Sequence, residues 1–131
     1  MWAIPYNFER GCDEAPDICL GVPYFNWGPV YLETANSVID GTFAARWRWL
    51  PPDWSDMNNR VSSAIGWVNG DGLSPANAET LAAFISGLGD GSIDLFVGPL
   101  NFQDGTPYLT DGELSTAQQV WYTKQLLEGI K

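Results

Sequence analysis

The sequence predicts an α/β protein in which a sheet is flanked by helices, and three features of its pattern indicate this. Apolar residues alternate with polar ones over short stretches, so that Ile93, Leu95 and Val97 share one face. Residues 81–88 instead carry apolar side chains at the helical spacing i, i+3, i+4, i+7. Strand-like and helix-like stretches also follow each other in turn, as in layered α/β folds. The length suits a single domain over residues 1–131.

The first part of the chain is predicted to form two strands, a helix and a third strand. Their ranges are 2–8, 18–25, 28–41 and 42–50. Pro29 fits the first turn of the helix, where its missing N–H is not needed, and Gly41 fits the C-terminal cap. In the third strand the tryptophans point to one face and the arginines to the other, which indicates one wet face.

The second part is predicted to form a strand, a helix, another strand, a turn and a final helix. The two strands cover 64–68 and 92–97, and the final helix covers 116–128. The first helix follows the N-cap Ser74 and Pro75, and it is expected to end at Gly87 and Gly89. The turn is the dipeptide Asp104-Gly105, and Ser115 has the capping-box spacing to Gln118.

Charge and composition exclude several classes of function. The net charge of −10 repels phosphate backbones and anionic lipid surfaces, so we expect neither nucleic acid nor a membrane surface as partner. No apolar run is long enough to cross a bilayer, and residues 1–5 do not form a signal peptide. The sequence has no His, which removes the commonest general base and most zinc sites.

The remaining polar residues do not predict a catalytic or metal site. The carboxylate pairs Asp53/Asp56 and Asp111/Glu113 could serve glycoside hydrolysis, but nothing in the sequence places either pair across a cleft. The acidic loop 9–17 lacks the ligand spacing of a calcium site. We therefore predict no catalytic residue, no metal and no cofactor.

Two interpretations of the cysteines stay open. Cys12 and Cys19 bracket a short loop and would form a disulfide in an oxidising compartment, or remain two free thiols.

The best candidate site lies where the second strand passes into the first helix. Phe25 and Trp27 offer flat faces and Asn26 offers an amide, at the carboxyl end of a strand where ligands of α/β sheets bind. The alternative is that the two aromatic residues pack the helix onto the sheet and Asn26 caps it. A stretch of the same composition ends the first strand. The predicted ligand-binding residues are therefore Asn7, Phe25, Asn26, Trp27, Tyr6 and Phe8.

Six short stretches together carry a resemblance that covers nearly the whole chain. They are 3–7 (AIPYN), 24–31 (YFNWGPVY), 38–43 (VIDGTF), 98–99 (GP), 103–105 (QDG) and 128–130 (EGI). In order and spacing they resemble the C-terminal portion of the basic membrane lipoprotein family, the substrate-binding proteins of ABC importers.

The resemblance implies a lobe of a type 1 periplasmic-binding-protein fold that closes on a small-molecule solute, a purine nucleoside or nucleobase. It implies an extracytoplasmic location, periplasmic or lipid-anchored at the cell surface, and an ABC permease as partner. Asn7 stands where nucleoside-binding members have an Asp for the ribose, and Phe25 where they have a Lys. The first lobe is expected to lie outside this sequence, and self-association is expected from apolar surface left uncovered. Two alternatives are a carbohydrate-binding or hydrolytic extracellular module and an oligomerising fragment without its own ligand.

Overall fold

A computed structural model describes all residues, 1–131. The fold is mixed α/β, with three α-helices, two small two-stranded sheets and one 3-10 turn. The chain divides into two compact units, Met1–Ser86 and Gly87–Lys131. The elements are the 3-10 turn Pro16–Ile18, β1 Gly21–Phe25, α1 Gly28–Ile39, β2 Ile65–Asn69, α2 Pro75–Asp90, β3 Leu100–Asn101, β4 Pro107–Leu109 and α3 Ala117–Trp121. A single domain over the whole length stays a prediction.

The first unit is organised around the pairing of β1 with β2. The two strands are antiparallel, and Tyr24 lies opposite Gly66. A Cβ at position 66 would overlap the Tyr24 ring, so the glycine lets this ring lie on the sheet. Tyr24 is buried with Val22 and Cys19, and these three residues form the core of the unit.

The N-terminal segment runs parallel to β1, but it is not a continuous strand as predicted. It forms two isolated bridges, Ala3 with Cys19 and Asn7 with Tyr24. Pro5 lies between them and has no N–H to donate to a ladder. The Asn7 amide donates to the main-chain oxygen of Pro23 at 3.0 Å, so the ends of the two segments are still held side by side.

The predicted start and end of α1 are confirmed. The helix begins at Gly28 with Pro29 in its first turn, and Gly41 follows its end with a φ of 68°. A left-handed φ of this kind is one that glycine adopts without strain.

The start of α2 is confirmed as well, and its end lies one residue beyond the predicted Gly89. The Ser74 hydroxyl accepts a hydrogen bond from the Asn77 amide at 3.3 Å, as an N-cap does. The helix then continues through Gly87 to Asp90. Gly87 is buried and a Cβ there would overlap the side chain of Ile93, so this glycine lets the segment that follows the helix pack closely against it.

The predicted strand over 42–50 is wrong, because no other segment pairs with its main chain. Its alternation nevertheless groups the arginines and the tryptophans as predicted, but Trp47 and Trp49 are 41% and 48% exposed, so the tryptophan face is not buried. The guanidinium groups of Arg46 and Arg48 lie 3.8 Å and 2.8 Å from the Glu33 carboxylate on α1. The rings of Trp47 and Trp49 stack on each other with centroids 6.0 Å apart.

The second unit contains the hairpin β3–β4 with buried Leu109. Gly105 has a φ of 82° at the predicted turn. The predicted strand 92–97 is wrong, since only Val97 forms a bridge there, to Leu114. Residues 92 to 96 all lie outside any strand.

The last helix, α3, is shorter than predicted. Its capping box joins Thr116 and Gln119, one residue later than expected, and it ends at Trp121 instead of residue 128. The following main chain bonds to the hairpin instead, because the Glu128 amide donates to the Asn101 oxygen at 2.9 Å. None of the helices is long and apolar enough to span a membrane.

Candidate functional site

Three exposed aromatic rings follow one another at the junction of β1 and α1. Phe25 and Trp27 have ring centroids 5.5 Å apart, and Trp27 and Tyr31 stack at 5.9 Å with 17° between their planes. Their exposed fractions are 43%, 55% and 66%. We call these residues the aromatic row. Because all three rings remain exposed, the alternative in which Phe25 and Trp27 pack the helix onto the sheet does not describe this junction.

Tyr31 was missed at the sequence level, although a signal for it was present. It lies four residues after Trp27, and residues at this spacing are neighbours on a helix surface. The predicted start of the helix at Gly28, directly after Trp27, was enough to place Tyr31 beside Trp27.

The other predicted aromatic residues lie on the neighbouring segment. Tyr6 and Phe8 flank Asn7 and are 69% and 65% exposed. Asn7 is bridged in parallel to Tyr24, so its segment ends beside the end of β1. The two predicted stretches, around Asn7 and around Asn26, therefore lie side by side, as predicted for the carboxyl ends of neighbouring strands.

Asn26 has a positioning role that the sequence analysis did not predict. Its Nδ2 donates to the main-chain oxygens of Arg60 and Ser63 at 2.9 Å and 2.8 Å. Its main-chain amide donates to the Ala64 oxygen at 2.9 Å. Both amide hydrogens are used in holding the 60–64 loop, and the N-cap of α1 is Trp27, so Asn26 is not the cap.

Arg60 is the second residue that was missed, and nothing in its local sequence indicates its role. Its guanidinium forms an ion pair with Glu9 and lies 4.7 Å from the centroid of the Tyr24 ring. The Tyr24 hydroxyl donates to Asn58 Oδ1 at 2.9 Å. The loop after residue 53 is thereby fixed to both the N-terminal segment and β1.

Several cavities flank α1, and two of them are lined in part by residues described above. The first has a volume of about 320 Å³ and is lined by Asn26, Arg48, Asp53, Ser63 and neighbouring apolar residues. The second, about 770 Å³, is lined by residues of α1 together with Arg60 and Val61. The aromatic row lines neither of them, so it forms an open surface.

The Asp53 carboxylate has a structural role. The Ser55 and Ser62 side chains and the Ser55 and Asp56 amides donate to it, and these bonds lower the pKa of Asp53 to about 2. A general acid needs a carboxyl group whose pKa is raised toward neutrality. Asp53 therefore does not provide the acid that glycoside hydrolysis requires.

Cys12 and Cys19 are joined in a disulfide, with their Cα atoms 5.5 Å apart. This decides between the two interpretations that the sequence left open. Disulfides persist in oxidising compartments, so the bond is consistent with an extracytoplasmic location.

The chain is similar to a purine-binding protein. That relative is from Brucella abortus (strain 2308) and is 32% identical over 104 residues. The matched stretch is 79% of this chain and 27% of the relative, so the chain spans about a quarter of the relative's length. No family model matches. The relationship is a partial homology to a binding protein.

Proposed function

We propose that this chain is part of an extracytoplasmic solute-binding protein that binds a purine base or nucleoside without turning it over. The observation that carries the proposal is the 32% identity to a purine-binding protein across 79% of the chain. The motifs that resemble the basic membrane lipoprotein family support the proposal that the protein serves an ABC importer. Its fold would then be the C-terminal lobe of a type 1 periplasmic-binding-protein fold.

The exposed aromatic residues give this proposal a physical basis. A purine is flat, and stacking of a base on an aromatic side chain contributes about 1–3 kcal/mol. Trp27 has the largest ring system in the aromatic row and is 55% exposed. Tyr6 and Phe8 provide further faces on the neighbouring segment. The side-chain amide of Asn7 can both donate a hydrogen bond to a base edge and accept one from it.

Asn26 contributes differently in this proposal. Since its amide hydrogens bind the 60–64 loop, it holds the strand end in place and is not the main contact to the base. The contacts to the ligand come from Asn7 and from the aromatic side chains next to it and to Asn26, which are Tyr6, Phe8, Phe25 and Trp27.

The remaining length of the relative leaves room for further structure that covers the site. We propose that a second lobe closes over the aromatic row, and that the closed form meets the permease. The exposed rings would then be covered in the complete protein, which accounts for apolar surface at a junction of strand and helix.

The test is a titration of the chain with adenine, guanine, adenosine and inosine, followed by tryptophan fluorescence and calorimetry. We expect at least one purine to quench the fluorescence of wild type and to bind more weakly to Trp27→Ala. The control Trp121→Ala removes an equally exposed indole from the second unit. Equal affinity of the two variants would contradict the proposed site, and no response to any of the four purines would contradict the function.

A carbohydrate-binding module is a second candidate, favoured by the open row of rings, since sugars also stack on exposed aromatic faces. Binding to a glycan array with loss in Trp27→Ala would support it. If the chain is an oligomerising fragment without its own ligand, its mass in light scattering should rise with concentration. A mass that stays at that of the monomer would contradict this alternative.

A further inference from the structure

Arg60 contacts three separate parts of the first unit through two groups, its guanidinium and its main-chain oxygen. Its guanidinium forms an ion pair with Glu9 on the N-terminal segment. The same guanidinium lies over the ring of Tyr24 in β1, with Cζ 4.7 Å from the centroid. Its main-chain oxygen accepts a hydrogen bond from Asn26 Nδ2 at 2.9 Å. One residue of a loop thus connects the N-terminal segment, the strand and the strand–helix junction.

Each residue that Arg60 contacts is a sequence neighbour of an aromatic residue of the candidate site. Glu9 follows Phe8, and Asn26 lies between Phe25 and Trp27. The exposed rings therefore belong to residues directly next in sequence to the ones that Arg60 contacts. Fixing the contacts fixes the spacing between Phe8 and the aromatic row.

The strengths of the contacts suit a positioning role. The Arg60 and Glu9 side chains are 53% and 43% exposed, so their ion pair alone contributes little stability. The Tyr24 ring is buried at 3% exposure, and a guanidinium over a desolvated ring face is held more strongly than over an exposed one. Loss of the guanidinium should therefore loosen the two segments without unfolding the unit.

We propose that Arg60 is a positioning residue of the solute site, which holds the N-terminal segment and the end of β1 at the spacing that accepts a flat base. This rests on the proposed function. A ligand binds in proportion to the fraction of molecules in the competent arrangement, so loosening this spacing lowers the apparent affinity.

The experiment compares Arg60→Gln with Arg10→Gln in the 131-residue chain. Arg10 also forms an exposed ion pair, with Asp13 at 2.6 Å, and is the matched control. The first measurement needs no ligand: it is hydrogen exchange at the Asn7 amide, which is bonded to Pro23. The second is adenine affinity, with the unfolding midpoint measured in parallel.

In Arg60→Gln we expect exchange at Asn7 to be faster and adenine affinity to be weaker, each by roughly three- to tenfold. Arg10→Gln should match wild type in both. The conservative variant Arg60→Lys keeps a cation beside Glu9 and the Tyr24 ring, and it should recover part of each loss relative to Arg60→Gln.

Unchanged exchange at Asn7 in Arg60→Gln, or equal losses in Arg10→Gln, would overturn the inference. Faster exchange with unchanged adenine affinity would also overturn it, while leaving the proposed function intact. If wild type binds none of the purines, the proposed function fails, and with it the role of Arg60 in a solute site.

Discussion

Asn26 and Ser63 are joined by a hydrogen bond of 2.8 Å from the amide Nδ2 to the main-chain oxygen, across 37 residues of chain. The same nitrogen binds the Arg60 oxygen at 2.9 Å. A single side chain therefore ties the end of β1 to the loop that precedes β2, and this tie fixes the place where the aromatic row begins.

Replacing Asn26 should weaken the first unit. In Asn26→Asp the carboxylate cannot donate, so two main-chain oxygens lose their partner, and we expect the unfolding free energy to fall by about 1–3 kcal/mol. Urea denaturation followed by circular dichroism measures this. Asn36→Ala, on the exposed surface of α1, should stay near wild type. An Asn26→Asp variant as stable as wild type would show that the tie is unimportant.

Gly66 should tolerate no side chain. A Cβ at this position would overlap the Tyr24 ring, and overpacking of this kind costs about 1–3 kcal/mol, so Gly66→Ala should lower the unfolding midpoint. In Gly28→Ala the added carbon meets nothing closer than the Asn26 Oδ1 at 3.8 Å, which makes it the control. Equal midpoints for both variants would contradict the packing described here.

The disulfide should contribute measurably to stability. It closes a short loop with a sequence separation of 7 residues. The chain-entropy relation gives about 2–3 kcal/mol for a loop of this size. We expect reductant to lower the urea midpoint of wild type and to leave Cys12→Ser/Cys19→Ser unchanged. A wild type that is insensitive to reductant would contradict this prediction.

Two carboxylates make stability depend on acid pH. Hydrogen bonds lower the pKa of Asp53 and that of Asp104 from 3.8 to about 2. The side chain of Ser55 makes the largest contribution at Asp53, and the side chain of Thr106 makes the largest at Asp104. A lowered folded-state pKa contributes stability above the ordinary pKa, and this is lost as pH falls through the folded value. The urea midpoint should therefore decline between about pH 4 and pH 2.

The control for this prediction is Asp53→Asn, which has no carboxyl group to protonate. Its midpoint should be lower at neutral pH, where the charged acceptor is missing, and it should decline less steeply toward pH 2. A decline as steep as that of wild type would show that Asp53 does not contribute to the acid sensitivity.

Local signals predicted the elements that local physics determines. Pro29 and Gly41 mark the ends of α1, and Ser74 marks the start of α2, because caps and turns depend on a few neighbouring residues. The segment 42–50 shows the limit of this reasoning. Alternation predicts which side chains share a face, but a strand also needs to join a sheet, and this segment is not part of one.

The same distinction holds for the candidate site. The composition around Asn7 and Asn26 selected two stretches that the structure brings side by side. Arg60 was not predictable, because its role depends on a loop that returns to β1 from more than thirty residues away in sequence. Contacts of this kind follow from the tertiary fold and have no local pattern.

The most direct test of the proposed purine site follows the indole N–H signal of Trp27 by NMR while adenine is added. This measurement detects weak binding and reports on one side chain of the aromatic row. If the purine site includes Trp27, we expect its signal to shift saturably as adenine is added, while the Trp121 signal does not move. A Trp27 signal that stays in place at millimolar adenine, or shifts equal to those of Trp121, would contradict it.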